Sequence, residues 1–195
     1  NPFRTGDVRL IDVDVRVISG YGFNSMVNVE TDYRHYRPGE EIRIESKWQR
    51  WGEDEFVRSD QIRLPDNLDA GSLVIHVADS EASRMIRRTH RPGRYLLRSF
   101  EDIIDYIGLS NQPQNRVDIF IFKPTLNVGV SDSELSGLPS SVRGVVNQTV
   151  PLDQLSIPVG RMISHRVIQF DRPVYGSGSL VVEINPRLGM LPLWS

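Results

Sequence analysis

Cysteine is absent from the 195-residue chain. Its absence excludes disulfide frameworks, cysteine-ligated zinc, iron–sulfur clusters and thiol nucleophiles. No apolar run approaches the ~18 residues that a membrane helix needs. Neither sign of charge dominates: 23 basic side chains face 25 acidic ones, for a net charge of -2, whereas a dedicated nucleic-acid module carries a strong basic excess. Only four histidines occur, at positions 35, 76, 90 and 165, and none has a partner at the spacing of a helical zinc motif. No Gly-x-Ser-x-Gly elbow marks a serine nucleophile. Tyr175-Gly176-Ser177-Gly178-Ser179 lacks the lysine of a phosphate loop and opens no helix. Asp132-Ser133-Glu134 and Glu53-Asp54-Glu55 supply carboxylates without an EF-hand register. No metal or cofactor is expected from these residues.

What is present is a β-rich pattern. Hydrophobic residues make up 39% of the chain and charged residues 25%, enough to build a core. From Ile11 to Val17 apolar and polar residues alternate, which predicts a half-buried strand with Val13, Val15 and Val17 facing inward. Met26–Glu30 predicts a second strand. The turn Tyr36-Arg37-Pro38-Gly39-Glu40 leads into alternating 41–48, and Trp51–Glu55 reads as a polar hairpin connection to the strand 56–65. After Asp69-Ala70-Gly71 comes the strand 72–79. Short strands at this spacing, joined by Gly, Pro and Asp turns, are the pattern of a sandwich. The expected fold is therefore mainly β: an immunoglobulin-like β-sandwich over residues 1–80, followed by a smaller α+β portion.

Residues 81–98 are arginine-rich and lack apolar periodicity, so they read as an exposed connector. Residues 99–195 form the α+β portion, expected either to stand apart or to pack with the first as one unit. Ser99-Phe100-Glu101-Asp102 has the character of a capping box, and Phe100, Ile103, Ile104 and Ile107 fall on one helical face. Val117–Phe122 is a strongly apolar strand with Leu126–Val130 as its neighbour, Leu138–Val146 is a short helix, and 147–160 is a loop. Val167–Phe170 and Ser179–Ile184 are expected to pair as a hairpin.

Three surfaces are candidates for binding. Arg84, Arg87, Arg88 and Arg91, with Arg94 and Arg98 beyond them, form a candidate polyanion or partner surface, to be set against a connector whose arginines pair with nearby acids. Only Lys47 and Lys123 among the basic residues are lysines, and genome composition explains that bias more simply than function does. Tyr33, Tyr36, Trp48 and Trp51 would form a sugar-stacking platform if exposed, or core if buried. Leu191, Leu193 and Trp194 lie in an apolar tail and form a candidate partner-docking segment, for which an intermolecular partner is favoured. His76 reads as structural; His35 and His90, in polar turns, read as solvated.

The order of motifs resembles a known family. Tyr36-Arg37-Pro38-Gly39-Glu40, Ile62-Arg63-Leu64-Pro65, Ala70-Gly71-Ser72-Leu73, Val77-Ala78-Asp79, Ser99-Phe100-Glu101-Asp102 and Leu138-Pro139-Ser140-Ser141-Val142 follow one another over roughly residues 8–146. Together they resemble the non-catalytic C-terminal region of secreted bacterial proteins related to the SpoIVB-type sporulation serine peptidases. The resemblance implies an extracytoplasmic accessory, structural or assembly module, with no catalytic residue to carry over. The implied partners are other domains of the same protein or further copies of this chain, with no specific nucleic acid and no transmembrane segment. The chain opens at Asn1, as expected of a processed or excised fragment. Two alternatives stand beside this reading: a regulatory part of a serine-peptidase-like hydrolase, and a carbohydrate-binding module.

Overall fold

The computed structural model describes residues 10, 12–13, 15, 22–90, 100–110, 112–124, 128–130, 133–135, 141–142, 145, 155–156 and 160–186. In chain order the strands are β1 (Asn24–Thr31), β2 (His35–Tyr36), β3 (Glu41–Arg50), β4 (Glu55–Arg63) and β5 (Gly71–Asp79). The helices α1 (Ser80–His90) and α2 (Phe100–Ser110) follow. After them come β6 (Arg116–Lys123), β7 (Val128–Val130), β8 (Ser133–Leu135), β9 (Leu155–Ser156), β10 (Arg161–Gln169), β11 (Val174–Tyr175) and β12 (Ser177–Ile184). The fold is mainly β.

One sheet has the order β11-β1-β3-β4, a second has β10-β6-β5-β12-β2, and β8-β7-β9 form a small third. Alternation explains which faces meet. In β3, Ile42, Ile44, Ser46 and Trp48 are buried while their neighbours are exposed or half-buried. Leu73, Ile75 and Val77 of β5, Val117, Ile119 and Ile121 of β6, Ile168 of β10 and Val182 and Ile184 of β12 join them in one core cluster. Each fully buried side chain of this size stabilises the fold by about 1.5–3 kcal/mol relative to exposure.

Strand β6 is buried on both faces, which is why it reads as a nearly continuous apolar run. Its odd-numbered residues enter the inter-sheet core. Its even-numbered residues, Asp118 and Phe120 among them, face α1, to which they are joined through Arg87.

The two sheets meet along both margins. On one side the chain passes directly from β11 in the first sheet to β12 in the second through Gly176, whose φ of 104° favours glycine; a Cβ there would sit 3.2 Å from that of Met26. On the other side, arginines span the edge strands. Arg166 donates to the Gln61 carbonyl at 2.6 Å, and Arg58 lies over the Phe170 ring at 5.1 Å. Charged side chains at exposed edges also discourage pairing with foreign strands.

Six sequence expectations are corrected. Val128–Val130 of β7, expected beside β6, pairs with β8 and β9 instead, and Leu155–Ser156 forms β9 inside the stretch expected to be loop. Residues 12, 13 and 15 are not in a strand, and Val13 and Val15 are 70% and 74% exposed rather than inward-facing; alternation marks a face that could be buried without supplying a sheet edge to receive it, and β1 already has a neighbour on each side. Strands β10 and β12 do not form a hairpin, because β6 and β5 lie between them. The connector contains α1 rather than extended chain. Its N-terminus is capped by Asp79, whose Oδ1 accepts the Ala82 amide at 2.8 Å, and its last turn carries Arg87, Arg88 and His90, favourable at the negative helix end. His90 is not solvated; it is half-buried and stacked on a phenylalanine, as described below.

Where the first 80 residues end, the sheet does not: β5 is flanked by β6 and β12, both from the C-terminal half. The helix expected from the capping box is α2, and of its stripe Phe100 and Ile104 are 53% exposed and Ile107 48%, while Ile103 is half-buried.

Candidate functional site

The densest polar chemistry lies between α1 and the outer face of the second sheet. Asp118 is fully buried. Its Oδ1 accepts from Arg116 at 2.6 Å, from His165 Nε2 at 2.6 Å and from Arg87 at 2.9 Å, and its Oδ2 accepts from Arg116 Nε at 3.1 Å. Burial alone would raise its pKa. The hydrogen bonds from Arg116 and His165 and the charge of Arg87 outweigh burial and hold it below the ordinary carboxylate value. An ionised carboxylate only accepts, so His165 carries its proton on Nε2. The 3.3 Å approach of Arg87 to that nitrogen is then a contact between donors.

A β-bulge brings His165 here. Met162 lies opposite Phe122, but the register shifts before Ser164, so His165 falls opposite Phe120 instead of Ile119. The extra residue turns the imidazole from the inter-sheet core to the α1 side, the re-aiming that bulges provide. His165 then stacks on Phe120 at 4.7 Å and 12°. Next along the same face, His90 stacks on Phe122 at 3.7 Å and 2°, and His76 meets Phe122 edge-on at 5.8 Å. Burial lowers the pKa of both His76 and His90; at His90 a hydrogen bond with the Gly160 backbone opposes this and repulsion from His76 adds to it.

Ser83 completes the cluster. It is fully buried, its hydroxyl donates to the Ala78 carbonyl at 3.1 Å, and it adds a small lowering influence on the Asp118 pKa. Among the described residues no hydroxyl is bonded to the second nitrogen of His165, so histidine, aspartate and serine are together without the relay that activates a nucleophile.

The sequence-derived candidates separate. Arg87 is an internal ligand of Asp118, and Arg84 forms an ion pair with Glu81 at 2.6 Å. Arg88 is exposed, and Arg91, Leu191, Leu193 and Trp194 lie outside the described residues. The aromatic platform divides: Trp48 and Tyr36 are core at 0% and 2% exposure, while Trp51 and Tyr33 stand out at 63% and 66%. Trp48 and Trp51 therefore form no exposed coplanar pair. Carboxylates of the 53–55 turn are engaged with cations, Glu53 with Arg50 and Arg172 and Glu55 with Lys47. Among the described residues no group of three or more histidines and carboxylates could hold a metal ion, and no helix is long and apolar enough to cross a membrane.

Sequence reasoning passed over Asp118 and His165. One signal was available: a carboxylate inside Val117-Asp118-Ile119-Phe120-Ile121-Phe122 must have buried cationic partners. Comparison with protein-family models, with curated proteins and with solved structures finds no match to this chain.

Proposed function

We propose that this chain is a non-catalytic accessory or assembly module of a larger extracytoplasmic bacterial protein, built on an immunoglobulin-like sandwich. The observation that carries this reading is the closure of the Asp118 cluster. A general-base site keeps an accepting nitrogen beside a nucleophile and an opening for substrate. Here the carboxylate is fully buried and held by Arg87 and Arg116, and the nearby serine is turned to a main-chain carbonyl. Such a network fastens a helix to a sheet. The stripe on α2 supports the same reading, because Phe100, Ile104 and Ile107 are about half exposed and suit contact with a neighbouring domain. The placement outside the cell rests on the resemblance of the motif order to that of SpoIVB-related proteins, and the immunoglobulin-like reading on two sheets that share one core.

A fluorophosphonate probe, which labels activated serines, tests the proposal. The full chain is expected to remain unlabelled, and Ser83→Ala and His165→Ala to lower its melting temperature. Labelling that disappears in either variant would establish a hydrolase site and overturn the reading.

A further inference from the structure

In the first sheet, the tip of the β3–β4 hairpin carries Trp51. Gly52 takes a φ of 71° in this turn, a conformation that glycine adopts freely. The Trp51 amide donates to the Phe23 carbonyl at 2.9 Å, pinning the hairpin tip to the residue that precedes β1. The side chains follow: Phe23 packs against Trp51 at 5.1 Å and 34° and meets Tyr175 edge-on at 5.4 Å. The result is a run of three rings drawn from three separate segments. Trp51 remains 63% exposed at one end and Tyr175 38% exposed at the other.

The same turn borders an open depression of about 840 Å³ lined by Arg50, Gly52, Glu53, Asp54, Glu55 and Phe56, with none of the three rings in its lining. Its polar groups are already ordered. Glu53 accepts from Arg172 at 3.0 Å and from Arg50 at 3.2 Å, and Arg50 also reaches Asp171 at 3.5 Å. Hydrogen bonding from Arg50, ahead of that from Arg172, lowers the Glu53 pKa. Asp54 is exposed and has no ion pair among the described residues. The turn that carries Trp51 thus offers carboxylate acceptors and guanidinium donors, those of Glu53 and Arg50 held in place by ion pairs.

We infer that Trp51, with Phe23 and Tyr175 behind it and Glu53, Asp54 and Arg50 at its rim, is a binding site for neutral oligosaccharides. A pyranose ring has an apolar C–H face that covers an exposed indole, and equatorial hydroxyls that both donate and accept at its edge. Each half of that surface has its counterpart here. Charge argues against an anionic glycan: the carboxylates of Glu53, Asp54, Glu55 and Asp171 stand against the cations of Arg50, Arg172 and Lys47, leaving no positive excess for sulfates or uronates. A site of this kind needs little reorganisation on binding, because the hairpin tip and the rim are already held. Its rings belong to the first sheet and its hairpin turn, whereas the Asp118 cluster is built on the second, so sugar binding stands whether or not the assembly reading does.

The test is isothermal titration of the full chain with maltohexaose, cellohexaose and chitohexaose, and with heparin as the anionic comparison. Saturable binding of at least one neutral hexasaccharide is expected. Trp51→Ala should weaken it about tenfold, the loss of one aromatic stacking contact, with an unchanged melting temperature. Tyr33→Ala, which removes an exposed ring elsewhere, should leave affinity as it was. Failure of all three neutral sugars to bind at millimolar concentration, binding of heparin alone, or equal affinity in Trp51→Ala would each overturn the inference. None of these outcomes changes the fluorophosphonate result, so the two proposals fail separately.

Discussion

Asp118 gathers Arg87, Arg116 and His165 onto one buried carboxylate, and that arrangement has a measurable consequence. Removing one member of a buried ion pair strands the others without compensation, at a cost of about 3–5 kcal/mol. Asp118→Asn, which keeps the shape and removes the charge, is expected to destabilise the chain by roughly the lower figure, because Arg87 and Arg116 keep some contact with water; urea unfolding measures it. A change under 1 kcal/mol would mean the cluster is ornamental to the fold. At this scale the sequence was only partly legible. A carboxylate within an apolar strand announces that partners exist, but Arg87 and His165 lie 31 and 47 residues away. No local pattern joins them.

Helix α1 shows how an element can escape a search for apolar stripes. It docks through Ser83, Arg87 and His90, spaced four and three apart on one face, while Met85 is 56% exposed. The docking face sets Ser83, Arg87 and His90 beside half-buried Ala82 and Ile86, an apolar contribution too short to stand out as the stripe that identifies most surface helices. Its polar members make docking depend on pH. The folded-state pKa of both His90 and His76 lies below the ordinary value of 6.5. The folded state therefore favours the neutral rings, and their contribution is fully present above about 6.5 and lost as pH falls through the depressed values. Asp118 adds a second loss below its ordinary 3.8, as pH falls through its own lowered value. Hydrogen exchange, corrected for intrinsic rate, should show residues 80–90 losing protection between pH 7.5 and 5 while β3 and β4 keep theirs. His90→Phe retains a ring for Phe122 and cannot charge, so it should flatten most of that dependence. Equal loss of protection in the variant would assign the effect to another group.

At the scale of the whole molecule, the second sheet is assembled from both ends of the chain. β5 from the N-terminal half sits between β6 and β12, and β6 sits between β5 and β10. Deleting residues 161–195 removes β10, β11 and β12 together. It leaves Leu73, Ile75, Ile119 and Ile121, all at or near 0% exposure in the intact chain, with open edges beside them. The truncated chain is expected to lose cooperative urea unfolding and near-ultraviolet circular dichroism. A sharp transition retained by residues 1–160 would show that the remaining strands suffice. The sequence by itself determined the mainly β character, most strand positions and the α2 stripe, because periodicity and turn residues are properties of neighbouring residues. Strand order, the core role of Trp48 against the exposure of Trp51, and the meeting of Asp118 with His165 were decided only by tertiary structure. Each depends on long-range pairing, and on a β-bulge whose single extra residue reverses which side of the sheet a side chain faces.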